Sequence, residues 1–176
     1  MKAITNGKFI LPDENDEFQV RTGNVLLYDE MGIHAVKDAA SFDAAADGVA
    51  PADILDAGGC YVAPGFLNVH IHGCGGADTM DEAPEALTTI RKKQAQMAVT
   101  ACLPTPMTCP WDEIAGALSR VRAAMDENGQ GAGADILGAH MEGPFISPAE
   151  KGSQEETNIL PADFAKFAPF SDVVRL

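Results

Sequence analysis

Apolar positions follow two rhythms along the chain. Up to residue 58 they form short extended runs between turn residues: 3–11 broken at Asn6-Gly7, then Phe18-Gln19-Val20, Asn24-Val25-Leu26-Leu27-Tyr28 and, after Met31-Gly32, Ile33-His34-Ala35-Val36. Runs this short, bounded by Gly, Asn, Asp and Pro, predict β-strands, and Asn6-Gly7 predicts a hairpin turn. The stretch 44–53 is rich in Ala, Asp and Gly and reads as a linker. From residue 59 strands alternate with helices. Residues 61–71 are apolar and extended, and Pro84 opens a segment in which Leu87, Ile90, Met97 and Ala98 keep roughly one helical face. Residues 99–105 form a β-branched run suited to a buried strand. Pro110 starts a clearer helix, since Ile114, Leu118, Val121 and Met125 recur at spacings of four, three and four, with Gly129 where a C-cap glycine belongs. A further strand is predicted over 136–141, a short helix over 161–167, and the opening of another apolar run over 172–176. Such alternation implies parallel strands with helices covering at least one face. The predicted organisation is a β unit over 1–58 followed by an α/β unit over 59–176.

Composition narrows the class of protein. With 176 residues, 46% hydrophobic and 22% charged, the chain has the apolar content of a folded domain, and no run is long enough to span a bilayer. The first seven residues lack a signal-peptide pattern, so a soluble, cytoplasmic protein is expected. Twelve Lys and Arg against 26 Asp and Glu give a net charge of −14, which argues against a nucleic-acid or anionic-membrane surface, since both need clustered cations. Cys60, Cys74, Cys102 and Cys109 form no CxxC pair and read as reduced, mostly buried thiols; Cys74, two residues after His72, is the one to weigh as a ligand. A complete eightfold β/α barrel needs about 250 residues and at least about 200, more than the chain holds.

Two stretches carry chemistry. In Asn68-Val69-His70-Ile71-His72-Gly73 the strand period of two puts His70 and His72 on one face, a bidentate start to a transition-metal site, and the following glycines let backbone approach a ligand closely. Two partly exposed strand histidines with a glycine turn fit the same pattern. In His140-Met141-Glu142-Gly143-Pro144-Phe145, His140 and Glu142 share a face by the same alternation. A carboxylate leaving a buried strand needs a partner or a cation, although a helix cap or a loop surface would also suit Glu142. His140, deeper in the strand, is expected to be a hydrogen-bonded interior histidine. His70, His72 and Glu142 all fall at the C-terminal ends of strands, where parallel α/β sheets build their ligand-binding face.

These residues also carry a resemblance. The run 64–73, Pro-Gly-Phe-Leu-Asn-Val-His-Ile-His-Gly, resembles the first-strand signature of the amidohydrolase superfamily. Together with the run 72–81, Leu103-Pro104-Thr105 and His140-Met141-Glu142-Gly143-Pro144-Phe145, it is similar to the N-acetylglucosamine-6-phosphate deacetylase family over nearly the whole chain. The resemblance implies a metal-dependent hydrolase that releases acetate from N-acetyl-D-glucosamine 6-phosphate. It implies one or two divalent ions, Zn or Fe, with Glu142 as the main metal-binding carboxylate and His70 and His72 as ligands of a second metal. Ser153 and Gln154 match the segment that contacts the sugar, although some relatives carry His at the position of Gln154; Asn68 stands where Asp is common and is given no catalytic role. The family's general base and two further metal-binding histidines match no residue here, so no catalytic residue is assigned. The resemblance further implies a homodimer and a fold consisting of the first half of a (β/α)8 TIM-type barrel preceded by part of a small β-sandwich, so that the chain reads as a truncated portion of an enzyme. A non-catalytic metal-binding or interaction fragment, and another amidohydrolase such as a dihydroorotase-like or amino-acid deacylase enzyme, remain as alternatives.

Overall fold

The short N-terminal runs are strands, as their Val, Ile and Leu content dictates, but neighbours in sequence are not always neighbours in the sheet. In the computed structural model, which describes residues 1–130 and 133–176, two units are distinct: Met1–Pro64 and Gly65–Leu176.

The first unit holds β1 (Lys2–Thr5), β2 (Lys8–Pro12), β3 (Phe18–Arg21), β4 (Asn24–Asp29), β5 (Gly32–Asp38), β6 (Ile54–Asp56) and β7 (Tyr61–Val62). They form two sheets, ordered β5-β4-β1-β6 and β3-β2-β7. The hairpin expected at Asn6-Gly7 is therefore not formed. β1 pairs with β4 and β6 while β2 pairs with β3 and β7, so Asn6-Gly7 is a corner between sheets. Asn6 has a positive φ and donates to the Asp56 carboxylate at 2.8 Å, and a Cβ on Gly7 would meet the Val62 side chain. Nor is 44–53 a free linker. Lys37 Nζ reaches Asp47 at 2.7 Å, and Val49, 4% exposed, joins Ala3, Val25 and Leu27 in the core of this unit. Apolar residues of both sheets, among them Ile4, Phe9, Leu11, Leu26 and Val62, line a common cavity.

The second unit contains β8 (Phe66–Ile71), β9 (Gly73–Cys74), β10 (Ala77–Asp78), α1 (Ala86–Ala95), β11 (Val99–Pro104), α2 (Trp111–Met125), β12 (Asp135–Ile136) and α3 (Phe164–Phe167). β8, β11 and β12 are parallel in the order β12-β11-β8, and an isolated parallel bridge joins Ala139, after β12, to Val174. β12 is shorter than the strand expected over 136–141, yet His140 N–H still bonds the Pro104 carbonyl at 3.1 Å. Between β9 and β10, Gly75 and Gly76 have φ of +68° and +86°, the left-handed pair that a two-residue hairpin turn requires.

The α2 helix covers the sheet as its periodicity predicts. Ile114, Leu118 and Val121 of α2 are fully buried and pack with Ile90, Cys102 and Ile136. α1 ends earlier than the apolar pattern suggested: Met97 is exposed and Ala98 adopts a φ of +61°, so neither lies on a helical face. Arg91 and Gln94 fill the buried stripe in their place. Among the described residues no helix is long and apolar enough to cross a membrane.

Candidate metal centre

His70 sits near the end of β8 and His72 just beyond it. The strand alternation brings their Nε2 atoms to 3.2 Å of each other. Glu142 enters from the segment after β12, its Oε2 2.9 Å from His72 Nε2 and 3.5 Å from His70 Nε2. Among the described residues these three are the group whose donor atoms converge as a metal would require.

The protonation pattern follows from the neighbours. His72 Nδ1 lies 2.9 Å from the Thr105 carbonyl, which can only accept, so Nδ1 carries a hydrogen and, in the neutral ring, Nε2 presents a lone pair. His72 Nε2 lies 3.2 Å from His70 Nε2 and 2.9 Å from a Glu142 carboxylate oxygen. Glu142 Oε2 is buried and has no hydrogen-bond donor despite its closeness to both rings. Three electron-rich atoms thus converge with, for neutral rings, at most one hydrogen, on His70 Nε2, to separate them. A cation resolves this arrangement, and two imidazoles with one carboxylate are a donor set suited to Zn²⁺ or Fe²⁺.

Residues outside the predicted set hold these ligands in place. Thr105, fully buried at the end of β11, bonds both the N–H and the carbonyl of Ile71 while its own carbonyl orients His72. Sequence reasoning did not single it out as a site residue; the available signal was a Thr closing a β-branched strand. Asn68 Oδ1 accepts the His70 N–H at 3.2 Å, and its Nδ2 donates to Gln94 Oε1 at 2.9 Å. His140 is half-buried, with Nδ1 2.9 Å from the Val69 carbonyl and its ring edge-on to His70, centroids 4.7 Å apart. It is hydrogen-bonded as expected and stands outside the converging group. Cys74 points its thiol at Gln94 Nε2 and the Ile90 carbonyl, on the α1 side, and also stands outside that group.

Ser153 and Gln154 differ from each other. Ser153 is exposed on the loop after Lys151. Gln154 is 5% exposed, and its Oε1 accepts the Thr108 N–H at 3.0 Å.

The curated proteins similar to this chain are named as deacetylases of N-acetylated amino-sugar 6-phosphates. No family model matches it. It is 33% identical over 103 residues to an N-acetylgalactosamine-6-phosphate deacetylase of Escherichia coli O157:H7, covering 58% of this chain and 27% of that protein. It is 37% identical over 120 residues to an N-acetylglucosamine-6-phosphate deacetylase of Bacillus subtilis, covering 67% of this chain and 28% of that protein. The crystal structure of N-acetylglucosamine-6-phosphate deacetylase from Pasteurella multocida superposes with a TM-score of 0.79 at 22% identity, over 98% of this chain and 43% of that one. The matched region is thus little more than a quarter of the curated relatives' length and less than half of the solved structure.

Proposed function

We propose that this chain, which resembles the N-terminal portion of N-acetylglucosamine-6-phosphate deacetylases, forms the first part of a metal-dependent amidohydrolase. In this reading Met1–Pro64 belongs to a small β-sandwich, and the β8-β11-β12 sheet with its helices is the opening of a (β/α)8 barrel. The reaction is hydrolysis of N-acetyl-D-glucosamine 6-phosphate to D-glucosamine 6-phosphate and acetate.

The observation that carries the proposal is the convergence of the His70, His72 and Glu142 donor atoms at the C-terminal end of parallel strands, with Glu142 Oε2 buried and lacking a hydrogen-bond donor. These three side chains would hold the ion. A divalent metal bound there supplies Lewis acidity, lowering the pKa of a water towards about 7 and polarising the acetamide oxygen. The chain's own contribution is positional. Thr105 fixes the His72 tautomer that leaves Nε2 free to bind, Asn68 fixes the His70 backbone, and the exposed Ser153 is available to a sugar hydroxyl.

Two measurements test this. Titration of the chain with Zn²⁺ or Fe²⁺ is expected to show saturable binding that is lost in E142A and in the H70A/H72A double variant. Stoichiometric binding that survives both would overturn the site and point to the cysteines. Acetate release from N-acetyl-D-glucosamine 6-phosphate by the metal-loaded polypeptide carrying this chain is expected to vanish in E142A. Assaying N-acetyl-D-galactosamine 6-phosphate in parallel decides between the substrates named for the two kinds of relative.

A further inference from the structure

Glu142 leaves the sheet where the backbone has few regular partners. Gly143 follows with a φ of +86°, and Pro144 has no N–H to offer. What holds this peptide is Thr108, in the segment between β11 and α2: its Oγ1 donates to the Glu142 carbonyl at 3.3 Å. Thr108 also occupies the space beside Gly143, because a Cβ built there would collide with Thr108 Oγ1. Thr108 is itself held, since its N–H donates to Gln154 Oε1 at 3.0 Å, and the two residues are 4% and 5% exposed. The Gln154 backbone is anchored in turn, its N–H on the Lys151 carbonyl and its carbonyl on Lys151 Nζ, both at 3.1 Å.

We infer that Thr108 and Gln154 are positioning residues for Glu142, a buried relay through which the 151–154 loop sets the carboxylate's place in the metal centre. This deepens the metal-site reading and rests on it. Gln154 then acts inward, through Thr108, and the loop offers the neighbouring exposed Ser153 to the sugar. Engagement of the loop by substrate and retention of metal by Glu142 become mechanically linked. The Gln154 amide suits this role because its oxygen satisfies a backbone N–H that would otherwise be buried without a partner.

The test is a Co²⁺ titration followed by visible absorption, with Zn²⁺ competition, on the whole chain and four variants whose metal-free fold is checked by circular dichroism. T108V and Q154L remove the relay's hydrogen bonds at similar volume and are expected to weaken Co²⁺ binding about 10- to 100-fold, the range seen when outer-shell partners of metal ligands are lost. T108S keeps the hydroxyl and is expected to stay near the wild type, and Q154N, which keeps a neutral amide acceptor on a shorter side chain, is expected to lose less than Q154L. The inference is overturned if T108V and Q154L bind as the wild type does, or if the conservative variants lose as much as they do. Should Q154L fail to fold, the T108V and T108S pair decides alone. Wild-type binding indifferent to E142A would overturn the metal-site reading and this inference together; binding that needs Glu142 but ignores the relay would overturn the inference only.

Discussion

At the scale of single residues, the centre depends on groups whose chemistry is set by what surrounds them. Gly143 shows this in its backbone. With a positive φ and Thr108 against it, Gly143→Ala forces both a strained conformation and a displaced neighbour. The expected result is a loss of about 1 kcal/mol or more in urea unfolding, with weakened metal binding because Glu142 shares the turn. Cys102 shows it in its acidity. Burial in the core of the second unit pushes its thiol up to about 11. The folded state therefore holds a proton that the unfolded chain releases above about pH 8.5. Stability is expected to fall as pH rises from there towards 11, and C102A should flatten that part of the profile in thermal unfolding. In the native protein Cys102 should also resist alkylation while exposed Cys60 reacts, which mass spectrometry can follow.

At the scale of elements, the second unit is joined by one buried cation. Arg91 on α1, 1% exposed, donates to the Ala134 carbonyl at 2.8 Å and reaches the carbonyls of Ala124 and Glu127 where α2 ends, with Asn128 Oδ1 at 3.4 Å. The guanidinium thus binds the Ala134 carbonyl and adds a further donor to carbonyls where α2 ends, while Glu127 and Asp135 lie within 3.8 Å to balance its charge. Arg91→Met keeps much of the volume but removes the donor to the Ala134 carbonyl, and is expected to cost about 1–3 kcal/mol in chemical denaturation. Leu118→Ala, which opens a cavity in the buried face of α2, should cost about 2–5 kcal/mol. The α2 face could be read from its spacing alone. The role of Arg91 could not, because a basic residue in an amphipathic pattern reads as solvent-facing until the opposing helix end is known.

At the scale of the molecule, the sheet of the second unit has β8 at its edge, with Phe66, Leu67 and Val69 each more than half exposed. An edge strand carrying exposed apolar side chains on a parallel sheet favours association. The chain is expected to self-associate with rising concentration in sedimentation experiments, and Leu67→Lys to reduce this without lowering the helix content. The net charge of −14 opposes the association, so added salt should strengthen it.

Much of the fold and part of the site were legible in the chain itself. Strand periodicity put His70 and His72 on one face, helical periodicity identified the buried side of α2, and Glu142 announced itself as a carboxylate leaving an apolar run. These are local properties, fixed by backbone geometry over a few residues. Tertiary structure decided the rest. Asn6-Gly7 became a corner because its flanking strands found distant partners, and 44–53 became part of a core because Val49 and Asp47 met residues of earlier strands. Glu142 reached the histidines, and Gln154 turned inward to Thr108, through contacts spanning tens of residues. Hydrogen-bond and packing partners of that kind follow from how the chain is folded back on itself, which no short-range pattern encodes.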